Sequence, residues 1–247
     1  MTLQHKIAVV TGGAGGIGSA ISRRLAAEGA TVIVTYSKRK DKAESLLKAL
    51  AGSGHLAVCA PVDDSTAQAD LARLIESQYG TLDVLVNNAG ITQPVPHDDL
   101  EALTDDLIDD IFRVNVRGVL AAVRAMKPLL MARDGGLVVN ISSIAARTAV
   151  GSNIAYCASK AALDNVTMSL ARALAPSVRV VSVSPGWVNG EYAQRMPPEL
   201  IQRQLNLTPL GRIAEAEDVA NAVYAVAAHL GFTTGAVIPV DGGRPLL

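Results

Sequence analysis

The sequence predicts an α/β fold: a doubly wound parallel sheet of about seven strands with helices on both faces. Three observations predict it. Short Val- and Ile-rich runs alternate with longer Ala- and Leu-rich stretches of helical period, the pattern of successive βαβ units. The first run leads straight into a glycine-rich turn. The 247 residues carry no composition shift, repeat or low-complexity linker, so 1–247 reads as one domain.

The elements follow in order. The run Ile7-Ala8-Val9-Val10 is the first strand, and the glycine turn after it opens a helix over 16–28. A β-branched run at 31–35 is the second strand, with a helix over 40–51. Strand 55–60 precedes helix 67–79, and Val84-Leu85-Val86 is the fourth strand. The apolar stretch 103–132 reads as one long helix or two. Strand 137–141 leads to helix 156–174, then strand 178–183. Residues 186–212 hold Pro197, Pro198 and Pro209 and read as an irregular substrate loop rather than a linker. Helix 216–229 and strand 236–240 complete the series. Right-handed crossovers between parallel strands place the helices on both faces.

Composition fits this architecture and narrows the function. Apolar residues make up 49% of the chain but aromatics only 3%, so the core is built from Ala, Val, Leu and Ile packed between helices and a parallel sheet. A net charge of −1 gives no reason to expect nucleic acid or an anionic membrane as partner. No apolar run is long enough to span a bilayer, and the first residues lack a signal-peptide pattern. Cys59 and Cys157 are far apart and read as reduced thiols of a cytoplasmic protein. His5, His55, His97 and His229 have no ligand spacing, so no metal is expected.

The turn Thr11-Gly12-Gly13-Ala14-Gly15-Gly16-Ile17-Gly18 lies between the first strand and its helix. Glycine lets the backbone turn sharply and approach a phosphate closely. The helix start adds free N–H groups and a positive dipole end. Gly12, Gly16 and Gly18 anchor the spacing, and the context is that of a dinucleotide-binding, Rossmann-type domain. The end of the second strand is where an acidic residue would hold a ribose 2′-hydroxyl; here it is Tyr36, followed by Ser37, Lys38, Arg39, Lys40 and Lys42. Cations at a helix start oppose its dipole unless an anion compensates, and a 2′-phosphate is such an anion. The cluster therefore favours NADP(H) over NAD(H).

Ser143 closes the fifth strand, and Tyr156-Cys157-Ala158-Ser159-Lys160 follows. Tyr156 and Lys160 are four apart and share a helix face. A phenol is a weak acid, and a neighbouring ammonium favours the phenolate, which equips a tyrosine as general acid or base. Ser143 can hold and polarise a carbonyl.

With these motifs in place the chain resembles the short-chain dehydrogenase/reductase family over essentially its whole length. The matching segments are 11–18, Asn87-Asn88-Ala89-Gly90, Asn115, Ser143, Tyr156, Lys160, Pro185-Gly186 and Asp241-Gly242-Gly243. The resemblance implies a tetrad in which Asn115 holds a water in a proton relay and Ser143 binds the carbonyl. Tyr156 transfers the proton, and Lys160 binds the nicotinamide ribose and tunes Tyr156. It implies a cofactor site lined also by Ile17, Val62, Asn87, Asn88, Ala89, Gly90, Pro185, Gly186 and Val188. Gln93 and Trp187 would flank the substrate.

The C-terminal run 234–243 resembles the 3-oxoacyl-[acyl-carrier-protein] reductase branch. There Arg133 and Arg172 would face an acyl carrier protein, a reading no better supported than two ordinary surface arginines. Family members also assemble through the helices beside the catalytic strand and through the C-terminal segment, which implies a homotetramer of D2 symmetry. Three positions depart from NADP-using relatives: Gly15 stands where many have a basic residue, Pro61 where an Asp is common, and Gly190 where a Thr is common. The expected activity is NADPH-dependent reduction of a ketone, a 3-oxoacyl thioester among the candidates. An NAD-dependent secondary-alcohol dehydrogenase and a non-catalytic dinucleotide sensor are the alternatives.

Overall fold

A computed structural model describes residues 3–133, 135–190, 193 and 196–246. Seven strands form one sheet: β1 (Ile7–Val10), β2 (Thr31–Tyr36), β3 (Leu56–Cys59), β4 (Val84–Asn87), β5 (Gly136–Ile141), β6 (Val178–Pro185) and β7 (Val237–Val240). Their order is β3-β2-β1-β4-β5-β6-β7, and every pairing is parallel. The order reverses between β1 and β4, the switch point at which such sheets bind ligands beyond the strands' carboxyl ends.

Side chains alternate between two cores. Ala8, Val10, Val32, Val34 and Val139 pack on one face with the helices α1 (Gly16–Ala27) and α9 (Ala216–Ala228). Ile7, Val9, Ile33, Leu85 and Val138 pack on the other, with α3 (Ser65–Tyr79), α5 (Gly118–Leu130) and α7 (Ile154–Leu174). Burial on both faces is why these strands read as unbroken apolar runs.

Helix boundaries depart from the sequence pattern where capping decides them. α3 starts before residue 67 because the Asp64 carboxylate accepts from the N–H groups of Thr66 and Ala67 at 2.9 and 3.1 Å. α7 starts before Tyr156 because Asn153 Oδ1 accepts from the Tyr156 N–H at 2.6 Å. α2 (Lys40–Leu47) ends earlier than expected, in tight turns toward Gly52, whose φ of +92° suits glycine. The stretch 103–132 is α4 (Asp105–Phe112), a π-helical turn Arg113–Arg117, and α5.

The loop 186–212 is not irregular throughout. It contains α8 (Pro198–Asn206), opened by proline at its first position, where the missing N–H costs nothing. Glu191, Tyr192, Gln194 and Arg195 of that loop lie outside the described residues. A short α6 (Ala145–Thr148) follows β5.

Candidate active site

The carboxyl ends of the strands border a cavity of about 1840 Å³. The glycine turn forms one end. Gly12 takes φ +59°, and a Cβ there would meet Ala89 Cα at 3.1 Å. A Cβ on Gly18 would meet the Gly12 carbonyl at 2.5 Å and Asn88 Nδ2 at 2.6 Å. Asn88 is the staple of this turn: its Nδ2 donates to the carbonyls of Thr11 and Gly12 at 2.9 and 3.1 Å. Thr11 Oγ1 accepts in return from the N–H groups of Asn88 and Ala89, each at 3.0 Å.

Gly16 differs from its neighbours. It lines the cavity, and a Cβ there would meet nothing within 4 Å. α1 begins here with no acidic residue in its first turn and no side-chain cap on its N-terminus. The leading N–H groups of a helix lack intrahelical acceptors, so they and the dipole face an open cradle suited to a phosphate. The residues present therefore fit a dinucleotide: phosphate against Gly16, Ile17 and Gly18, and adenosine along the wall that holds Tyr36, Ser37, Lys38, Arg39 and Val62. Lys40, beyond that wall, lies 3.5 Å from Glu44, and Asp41 offsets the basic start of α2.

The middle of the cavity is walled by Asn88, Ala89 and Gly90 after β4, by Ser143 after β5, and by Tyr156 and Lys160 of α7. Pro185, Gly186, Trp187 and Val188 follow at the end of β6. This last segment is pinned from three sides. Gly186 N donates to the Val240 carbonyl at 3.0 Å, Ile144 N to the Pro185 carbonyl at 3.0 Å, and Ala214 N to the Trp187 carbonyl at 3.0 Å.

Lys160 is 6% exposed yet reaches the cavity. Its Nζ donates to the Ile141 carbonyl at 2.8 Å and lies 5.7 Å from the Tyr156 ring centroid. Burial lowers its pKa to about 8, with the Asp164 carboxylate one turn on pulling it back up. Burial also pushes the Asp164 carboxyl up, while Ser142 and the Arg147 guanidinium act against the shift. Ser143 Oγ accepts from the Ala145 N–H at 3.2 Å, so its own hydrogen is free to donate toward the cavity.

Three expected residues stand elsewhere. Asn87 is buried away from the cavity wall, its Nδ2 donating to Asn140 Oδ1 at 2.8 Å. Asn115 is 1% exposed inside the π-helical turn and does not line the cavity. Its side chain is engaged at both ends: Oδ1 accepts from Ile91 N at 2.9 Å, and Nδ2 donates to the Ile91 carbonyl at 3.0 Å and Ser159 Oγ at 3.1 Å. Gln93 is exposed and absent from the cavity wall; its carbonyl accepts from Asn153 Nδ2 at 2.7 Å. Asn153, which the sequence reading missed, thus joins the segment after β4 to the main chain of Tyr156. Its signal was an Asn at the N-cap position of a helix.

A family model described as Enoyl-(Acyl carrier protein) reductase matches residues 12–244. A crystal structure of a short-chain dehydrogenase/reductase from Burkholderia xenovorans superposes with a TM-score of 0.91 at 33% identity, covering 98% of each chain. The chain belongs to the short-chain dehydrogenase/reductase family. It is an NAD(P)-dependent oxidoreductase of that family. A protein named as a ketoacyl reductase of the granaticin polyketide synthase of Streptomyces violaceoruber is 37% identical over 246 residues, 98% of this chain and 96% of the relative. The 3-oxoacyl-[acyl-carrier-protein] reductase FabG of Staphylococcus aureus is 34% identical over 242 residues, 96% and 97% of the two chains. Among the described residues of this family member no helix is long and apolar enough to cross a membrane, and no group of His, Cys, Asp and Glu could hold a metal ion.

Proposed function

We propose that this short-chain dehydrogenase/reductase is an NADPH-dependent carbonyl reductase acting on a small-molecule ketone, with the whole chain as one domain and 186–212 as its substrate loop. One observation carries the reading: a buried Lys160 with its Nζ 5.7 Å from the Tyr156 ring centroid, and a Ser143 hydroxyl with its hydrogen free, all three residues lining one cavity. When bound, the dinucleotide supplies a hydride to the carbonyl carbon. Ser143 donates a hydrogen bond to the carbonyl oxygen, and Tyr156 delivers the proton that completes the alcohol. Lys160, with one of its three hydrogens on Ile141, keeps two for a ribose hydroxyl and for the neighbourhood of Tyr156. Gly90 leaves room for this, since a Cβ there would stand 3.7 Å from Lys160 Nζ. Any part of Asn115 in a proton relay falls to its main chain, because its carboxamide is engaged.

Lys38 and Arg39 on the cavity wall support NADP(H) over NAD(H). The names of the Streptomyces and Staphylococcus relatives support a 3-oxoacyl thioester as one substrate class and an acyl carrier protein as one partner, with Arg133 and Arg172 available to it. The free thiols Cys59 and Cys157 accord with a cytoplasmic enzyme. Exposed apolar side chains on α5 and α7 support a homotetramer.

The test is oxidation of NADPH and NADH by the purified protein against a panel of ketones and 3-oxoacyl thioesters, with secondary alcohols and NAD⁺ in the reverse direction. Ketone-dependent NADPH oxidation is expected. Turnover confined to alcohols with NAD⁺ would favour the dehydrogenase alternative, and cofactor binding without any turnover would favour a sensor.

A further inference from the structure

The cavity ends, far from the glycine turn, on two arginines that the proposed reaction does not use. Arg203 of α8 and Arg244, which opens the C-terminal 3₁₀ turn Arg244–Leu246, both line the wall. Neither forms a salt bridge among the described residues. Arg244 Nη2 donates to Oε1 of the buried Gln204 at 3.1 Å, which fixes the guanidinium, while its Nε is buried with no hydrogen-bond partner. That Nε is enclosed, so the part of the guanidinium open to an acceptor from outside is Nη1, which is neither buried nor bonded among the described residues. The acidic residues of the wall, Asp63 and Asp110, lie beside Arg113 and leave this end positive.

Arg244 stands on the far side of the sheet from the dinucleotide phosphates. Arg244 follows β7 and the glycine turn follows β1, four strand spacings apart in the sheet. At about 4.8 Å each that is roughly 19 Å. Ser143, after β5, is only two spacings from β7, about 10 Å. A guanidinium held by one amide presents its remaining hydrogens as a planar fork that matches a carboxylate or a phosphate.

We propose that Arg244, held by Gln204 and joined by Arg203, binds an anionic group of the substrate, a carboxylate or a phosphate, carried several bonds from the carbonyl reduced at Tyr156. This rests on the carbonyl-reductase reading for its role in turnover, but the anion site itself is measurable without turnover.

The experiment has two parts. Calorimetric titration of hexanoate, hexyl phosphate and neutral hexanamide into the NADPH complex reads the site directly. At least one anion is expected to bind tenfold or more tightly than the amide, and which one identifies the source. Arg244→Ala is expected to erase at least fivefold of that preference, Arg244→Lys to restore part of it, and Arg203→Ala, on the exposed side of α8, to lower it less. Kinetics then compare an oxo acid with its methyl ester, and a phosphopantetheine 3-oxoacyl thioester with its neutral N-acetylcysteamine counterpart. The anionic member of one pair is expected to show the lower KM. Equal binding of anions and amide, or a preference unchanged in both arginine variants, overturns the proposal. Anion binding that depends on Arg244 with no ketone reduced sustains the anion site and instead overturns the carbonyl-reductase reading.

Discussion

Lys160 Nζ donates a 2.8 Å hydrogen bond to the Ile141 carbonyl, joining α7 to the last residue of β5. That bond holds an ammonium where burial lowers its pKa from the ordinary 10.5 to about 8. The folded protein then binds this proton more weakly than the unfolded chain. Below about pH 8 folding bears the full cost of the buried charge; as pH rises toward 10.5 the folded state has lost the proton while the unfolded chain keeps it, and the cost disappears. Stability should therefore rise with pH across this window, by about 2–3 kcal/mol relative to Lys160→Met. Urea unfolding of both proteins at pH 7 and pH 10 measures it. Parallel pH dependences would mean that Lys160 does not titrate there.

Tyr156→Phe keeps the ring against Lys160 and removes the proposed proton donor. Turnover should fall by several orders of magnitude while NADPH affinity stays nearly the same. Lys160→Ala should damage both, since one ammonium serves ribose and tyrosine. A Phe variant retaining a tenth of the wild-type rate, with chemistry limiting, would end the acid assignment.

Much of this arrangement was legible in the sequence because two physical rules are local. Strands buried on both faces are unbroken apolar runs, so β1, β2 and β5 were readable to within a residue or so. β6 runs on through Ser184 and Pro185, which pair with Pro239 and Val240, and its polar and proline end concealed the last two residues. Tyr156 and Lys160 share a face through their spacing alone. The π-helical turn around Asn115 has no such signature; it and α4 pack against α7, and its consequence, a carboxamide bonded at both ends, is tertiary. Gln93, absent from the cavity wall, shows a related effect. It is adjacent in sequence to the cavity-lining Thr92 and Pro94, but it is exposed and only its main-chain carbonyl is tied down, by Asn153. Arg203 and Arg244 belong to no motif; only folding brings them to one wall with Gln204.

The proposed preference for NADP(H) rests on charge at the 2′ position. Tyr36 brings no carboxylate to hold a 2′-hydroxyl, and Lys38 and Arg39 line the cavity beside it. A charge-assisted hydrogen bond to phosphate contributes about 1.5–3 kcal/mol before screening, enough for at least tenfold discrimination. Lys38→Ala or Arg39→Ala should weaken NADPH binding by about tenfold and leave NADH nearly untouched, and the wild-type preference should shrink as salt rises. NADH bound as tightly as NADPH at low salt would refute the assignment.

Assembly is predicted from exposed apolar side chains. Leu120 and Met131, at α5, are 40% and 43% exposed, and Met168 of α7 is 50% exposed. Helices carrying such residues beside β5 bury them by pairing with symmetry copies. A homotetramer is expected by light scattering at micromolar concentration, and Met168→Glu should shift it toward smaller species. A monomeric wild type would sink this.

The glycine turn offers a test that separates folding from cofactor binding. Gly18 and Gly16 are two residues apart at the start of α1, and both would gain the same methyl on substitution by Ala. At Gly18 that methyl would lie 2.5 Å from the Gly12 carbonyl and 2.6 Å from the Asn88 amide that staples the turn. Neither atom can retreat cheaply, because the amide is bonded to two carbonyls and the other atom is backbone. At Gly16 the methyl would meet no protein atom within 4 Å and would project into open space at the helix N-terminus. Ala is also the better helix former by up to about 1 kcal/mol. Gly18→Ala should therefore lower Tm by several degrees, corresponding to about 1–3 kcal/mol of overpacking, and weaken the dinucleotide as a consequence. Gly16→Ala should leave the Tm of the protein alone equal or higher, yet weaken NADPH binding at least tenfold, because the methyl occupies the space that the phosphate needs. Thermal melts with and without NADPH read both effects in one series: the Gly16→Ala melt should lose the ligand-induced rise while keeping the baseline. A Gly16→Ala protein that binds NADPH as the wild type does would show that the pyrophosphate does not approach this helix end.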